Sequence, residues 1–259
     1  MNYNPANPVL FRVADPRFDH SQHERLDIFA PVLICDDVVK FQIKAASSSG
    51  IFVEVIDTED GSQFAIATPI SDNLLSPGYW NFLLPMTQFC NKRIKFRYFE
   101  SGAYYDSETY VVKEDCATPT LLITYWNDTV IRGGNTYPDI VYSNGFRPSI
   151  RVFGSLDAGY GNYNQTMSTT SGGFSHVCRA DYVEGFRLST GPHMDWVHAK
   201  LRYVFLHQHI TVQKYGESTS IELVPNGAYN QEQQAAEYTN LFNGSGRLLQ
   251  KEHGLITSV

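Results

Sequence analysis

Three histidines, His198, His207 and His209, are the residues best suited by type to chemistry, since imidazole nitrogens ligate zinc and move protons near neutral pH. His207 and His209 would share one face of a strand, with His198 on a preceding helix. A zinc site also needs a carboxylate or a further imidazole at ligand spacing, and none stands locally. The three therefore read as residues held by the helix dipole and the carbonyls of a helix end. His20 and His23 have the spacing of a helical turn, but no Glu follows the first as in a zincin, so the segment reads as a solvated loop. The acidic turn Thr58-Glu59-Asp60-Gly61 lacks the alternating oxygen donors of a calcium loop and reads as a hairpin turn, with Gly61 supplying a positive φ. Gly159-Tyr160-Gly161 lacks the third glycine and the strand-to-helix setting of a dinucleotide fingerprint. A nucleophile elbow, a Cys paired with a His and a phosphate loop are missing as well. No catalytic, cofactor-binding or metal-ligating residue is assigned, and the chain reads as a non-enzyme.

Composition narrows the partners. With 259 residues, 42% hydrophobic and 14% aromatic, the chain can bury one large core or two medium ones. A net charge of -7 with only 18% charged residues supplies no basic field for nucleic acid phosphates. The first residues lack a basic and apolar secretory pattern, and no run approaches the roughly 20 apolar residues of a membrane span. Synthesis in a cytoplasm follows as an expectation, and Cys35, Cys90, Cys116 and Cys178, far apart and without a C-x-x-C pair, read as reduced and mostly buried. The glycosylation-type triplets at Asn127, Asn164 and Asn243 read as chance.

The elements that would position any site are mostly strands. Residues 179–214 hold a strand pattern at 181–188, a Ser-Thr-Gly-Pro breaker at 189–192, a helix over 194–206 and a strand at 210–214. Val197, Leu201, Val204 and Phe205 share one helix face, so the helix packs on a sheet. Before it, strands are predicted at 26–34 and 38–45 around an Asp36-Asp37 hairpin turn, then at 51–56, 64–68, 78–84, 93–99 and 104–113. A boundary falls at Ala117-Thr118-Pro119, followed by strands at 121–126 and 149–153 and a long exposed loop at 157–173. Residues 229–242 are helix-compatible. The expected fold is mainly β: two β-sandwich-like domains, the second with one packed α-helix, plus terminal arms. These are an N-terminal arm at 1–24, a first sandwich at 25–116, a second β domain at 117–226 and a C-terminal arm at 227–259. Leu241, Phe242, Leu248, Leu249 and Leu255 make that last arm apolar enough to lie across a neighbouring subunit.

The order LLITYWND near Leu121, SIRVFGSL near Ser149, CRADYVEGFRL near Cys178, then a helix running into HQHITVQ resembles a domain of tail proteins from phages of Bacteroidetes, including crAss-like phages. The likeness covers residues 117–226. It implies a virion tail component without enzyme activity: a ring, adaptor or hub subunit that contacts copies of itself and other tail or portal-proximal proteins. The competing reading is a glycan-binding host-recognition module, motivated by aromatic strand residues such as Trp80 and Trp126 and by the Tyr- and Asn-rich loop.

Overall fold

Alternation with period two shapes the first half of the chain. The computed structural model describes residues 9, 11–13, 30–44, 51–67, 70–71, 79–100, 102–114, 119–128, 142, 146–233 and 241–250. Ten strands fall in the first part: β1 (Phe11–Val13), β2 (Val32–Ile34), β3 (Val38–Lys44), β4 (Phe52–Asp57), β5 (Gln63–Ala67), β6 (Ile70–Ser71), β7 (Tyr79–Pro85), β8 (Arg93–Glu100), β9 (Ala103–Ser107) and β10 (Tyr110–Lys113). On β8, Ile94, Phe96 and Tyr98 are fully buried while Lys95 and Arg97 turn outward. β8 pairs with β4, which pairs with β5; on its other side it pairs with β9 and with β10, which carry β1 and β2 at the sheet's edges. A second sheet, β3-β7-β6, covers this one. Between the two, the Phe41 and Phe82 rings stack at 5.2 Å, and Phe96 and Tyr98 close around them. The first unit is a sandwich.

Asp36 and Asp37 do not close a hairpin as expected, because β2 and β3 belong to different sheets. The turn is a corner. Asp37 holds it by accepting the Ile34 amide at 2.8 Å, and the chain crosses from one sheet to the other. The turn between β4 and β5 does take the expected form, with Gly61 at φ +72° and the Asp57 and Asp60 carboxylates accepting the Glu59 and Ser62 amides.

Cys35 and Cys90, expected to be reduced, are joined by a disulfide across 55 residues, linking the corner to the turn before β8. Closing a loop of that length restricts the unfolded chain by about 4 kcal/mol in the chain-entropy account. Reduction should therefore lower the denaturant midpoint of the sandwich and leave the second unit unchanged. A thiol titration that finds Cys35 and Cys90 free in the folded, unreduced protein would contradict this.

The second unit contains β11 (Thr120–Trp126), β12 (Ser149–Thr169), β13 (Ser175–Met194), α1 (Asp195–Val204), β14 (His209–Lys214), β15 (Ile221–Pro225), β16 (Asn230–Gln233) and β17 (Leu241–Gln250). Its sheet runs β13-β12-β11-β14-β15-β17, all antiparallel, and β13 also pairs with β17. That last pairing turns the expected second sandwich into a closed six-stranded barrel. The expected breaker at 189–192 lies inside β13, where a register irregularity between Thr190 and His193 absorbs Gly191 and Pro192. Val197, Leu201 and Val204 of α1 pack into the barrel core against residues such as Leu121, Ile123 and Leu188.

The two units meet at a buried ion pair. Arg151 of β12 donates from Nε and an Nη to the two oxygens of Asp37 at 2.7 and 2.6 Å, and from the other Nη to Thr120 Oγ1 at 3.1 Å. Trp196 packs on both cores. Beside it lies a cavity of about 30 Å³ lined by residues including Val9, Tyr110, Ile150 and His193, room for a water but not for a metabolite. Arg151→Ala strands a buried carboxylate, so a loss of about 3–5 kcal/mol is expected in urea unfolding, and Arg151→Met with Asp37→Asn should recover most of it. Equal losses in the single and the paired variants would show that the junction is held by something else.

Candidate assembly interface

The histidines do not gather. His207 sits in the turn after α1, where its Nδ1 donates to the Tyr203 carbonyl at 2.7 Å and its Nε2 faces the Tyr142 hydroxyl. His209 opens β14, stacked flat on Trp126 at 4.9 Å, with Glu222 and Asp128 at 3.1 and 3.0 Å. His198, on α1, donates from Nε2 to the Phe242 carbonyl at 2.6 Å and accepts the Tyr229 hydroxyl at Nδ1 at 2.8 Å, and Thr190 Oγ1 contacts that hydroxyl at 2.8 Å. His193, which sequence reasoning did not single out, accepts the Phe153 amide at 3.1 Å. Burial pushes the His193 and His207 imidazoles down to about 4, and it lowers His198 as well. Burial favours their neutral forms; His198 ties α1 to β17, His193 ties β13 to β12, and His207 ties the end of α1 to Tyr142. Among the described residues no group of three His, Cys, Asp or Glu could hold a metal, and His20 and His23 lie outside them.

The aromatic platform is also occupied. Trp80 is buried in the sandwich core, and the Trp126 ring carries His209 in parallel and the Arg147 guanidinium at 4.2 Å. A sugar stacking on Trp126 would have to displace one of them.

The arm at 227–259 is corrected by the structure where it is described. β17 lies within its own barrel between β13 and β15, and β16 pairs with it. Leu248 is fully buried in that barrel's core, Leu249 pairs with Gly185 and Val224, and the Leu241 and Phe242 backbones pair with Met194 and His193. Leu255 lies outside the described residues. The helix expected at 229–242 is not formed at 230–233, which is β16, and α1 spans 195–204 in place of 194–206. At the other end of the chain, β1 is an edge strand on β9, and Val9 is buried in the sandwich core.

The surface that does reach outward is the segment expected to be a loop. β12 and β13 pair from Gly154 with Thr190 to Thr169 with Ser175, with register irregularities between Ala158 and Tyr160 and between Thr166 and Met167. β11 accompanies β12 only along 149–153, and β17 accompanies β13 only along 185–194. From Gly161 and Glu184 outward the two strands therefore form a ribbon that no third strand joins among the described residues. At about 3.3 Å per residue, the nine residues of 161–169 carry it roughly 30 Å beyond the barrel. Its tip turns at 170–174 through Gly173 at φ +83°, with Phe174 79% and Met167 58% exposed. The sequence signal for this was the Thr, Tyr and Val residues scattered through the stretch, which favour extended backbone, among Asn, Gly and Ser residues that favour a loop.

Fold and site together define a mainly β chain, a sandwich joined to a helix-packed barrel from which a ribbon projects. Compared with protein-family models, curated proteins and solved structures, the chain gives no significant match. No helix among the described residues is long and apolar enough to cross a membrane.

Proposed function

We propose that this protein is a structural subunit of a bacteriophage virion tail, assembling with copies of itself as a ring or adaptor and contacting neighbouring tail proteins. One observation carries the reading: a ribbon about 30 Å long that no third strand joins among the described residues is marginal in water by itself and would gain stability from a neighbour. The sequence order at 117–226 that resembles phage tail proteins supplies the virion context. The glycan-binding alternative loses its two tryptophans, one to the core and one to the Arg147 and His209 stack. Quantitative mass spectrometry of purified particles tests the proposal. Presence at a simple ratio to the portal subunit is expected, and absence from particles would overturn it.

A further inference from the structure

Soluble proteins protect strand edges with charge, proline or a covering element, because an edge offers a row of unpaired amides and carbonyls to any other strand. The outer part of this ribbon has neither charge nor proline, while Arg179, Asp181 and Glu184 place charge on β13 nearer the barrel. From Tyr160 to Cys178 the chain contains no Lys, Arg, Asp, Glu or Pro. Among the described residues no strand but β13 pairs with β12 past Phe153, where the Gly154 amide is bonded to the Pro119 carbonyl, and none but β12 pairs with β13 from Ser175 to Glu184. The edges differ in residues and run in opposite directions, so they are complementary to one another.

Resting on the self-assembly reading above, we infer that the ribbon pairs edge to edge with that of a second copy, β12 of one subunit against β13 of the next. In two ribbons that point the same way, β12 beside the neighbour's β13 is again antiparallel, so the hydrogen-bond pattern of the hairpin continues across the boundary. Each copy then uses both edges once. The contact is heterologous, and a closing rotation yields a ring whose ribbons form one continuous sheet without exposed edges. Pairing through like edges would instead stop at a dimer and leave two edges bare. A second copy is favoured over an unrelated strand because the same chain supplies both complementary edges at the same length. The exposed Met167 and Phe174 lie at the far end of the ribbon, where contact with another component adds to this pairing without replacing it.

Three measurements on the full chain decide the matter. Light scattering and mass photometry across concentration should show an oligomer of three or more copies, and a monomer up to millimolar concentration would overturn the inference. Excising residues 161–184 and closing the gap with an Asn-Gly turn should leave the melting temperature near normal and abolish association. A deleted chain that still assembles would overturn edge pairing while leaving the subunit reading intact. Should the deletion fail to fold, Asn162→Lys with Asn164→Lys keeps the hairpin length and places charge on it. That variant should move the association midpoint by roughly tenfold or more in protein concentration. In hydrogen exchange, about every second amide of 161–169 and 175–184 should slow on assembly, and unchanged exchange there would place the interface elsewhere.

Discussion

A single methyl added at Gly246 is expected to destabilise the barrel by about 3 kcal/mol or more, the upper range for overpacking a well-filled core. The backbone at this position is not in the left-handed region, so alanine meets no conformational barrier; the obstacle is a ring. Phe205, 7% exposed at the end of α1, lies where the new Cβ would go. β17 has little freedom to retreat, since it pairs with β13 on one side and with β15 and β16 on the other. Gly244 sits in the same relation to the Tyr229 hydroxyl, with His198 Nδ1 at 2.9 Å from the added atom. The two glycines let the ring ends of Phe205, just after α1, and Tyr229, just before β16, reach the backbone of β17 where it pairs with β13. Gly246→Ala should therefore lower the urea midpoint of the barrel, and Phe205→Leu in the same chain should recover part of the loss through the space it opens. Unchanged stability of the monomer, with altered assembly, would place β17 on a neighbouring subunit and restore the arm.

That glycine pair shows where a sequence becomes hard to read. Asn243-Gly244-Ser245-Gly246 has the composition of a helix stop, and the preceding Gln-, Ala- and Glu-rich stretch has helical propensity, so 229–242 reads as a helix and its apolar tail as an arm. At 230–233 pairing with β17 outweighs that propensity, β17 itself pairs with β13 from Leu241, and residues 234–240 lie outside the described ones. β8 was legible because one face is buried: Ile94, Phe96 and Tyr98 must alternate with polar residues. α1 was legible for the same reason at period 3.6. Strand 181–188 was legible within β13, whereas 157–173 was not, because its Asn, Gly, Ser and Thr residues match loop composition and show no alternation of apolar and polar residues. Cys35 and Cys90 fit no spacing motif, and only the packing of the corner against the turn before β8 brings them together. The candidate interface followed the same pattern. Apolar leucines pointed to the tail, whereas the segment that reaches away from the barrel is polar.

Acid should dissolve the barrel before the sandwich. His193 and His207 are each 3% exposed, and burial brings both imidazoles to about 4 from an ordinary value of 6.5. Their folded pKa lies below the unfolded one, so the unfolded chain takes up protons first. The stabilisation from keeping them neutral is complete above pH 6.5 and is lost as pH falls towards 4. At 1.36 kcal/mol per unit this amounts to about 3 kcal/mol for each histidine, together comparable to the whole stability of many domains. The backbone hydrogen bonds to Phe153, Tyr203 and Val204 oppose this shift, and burial outweighs them. His207 already donates through Nδ1, so its Nε2 accepts from Tyr142, and a proton there sets donor against donor. His198, also lowered by burial, would likewise force the Tyr229 hydroxyl to turn away. Among the described residues the sandwich contains no histidine, so it has no matching loss over this range. Circular dichroism with residue-resolved NMR should show the barrel signals collapsing between pH 6.5 and 4 while those of the sandwich persist, and His207→Gln should move the midpoint to lower pH. Coincident loss of both units, or a midpoint indifferent to His207→Gln, would show that the buried imidazoles do not set the acid sensitivity.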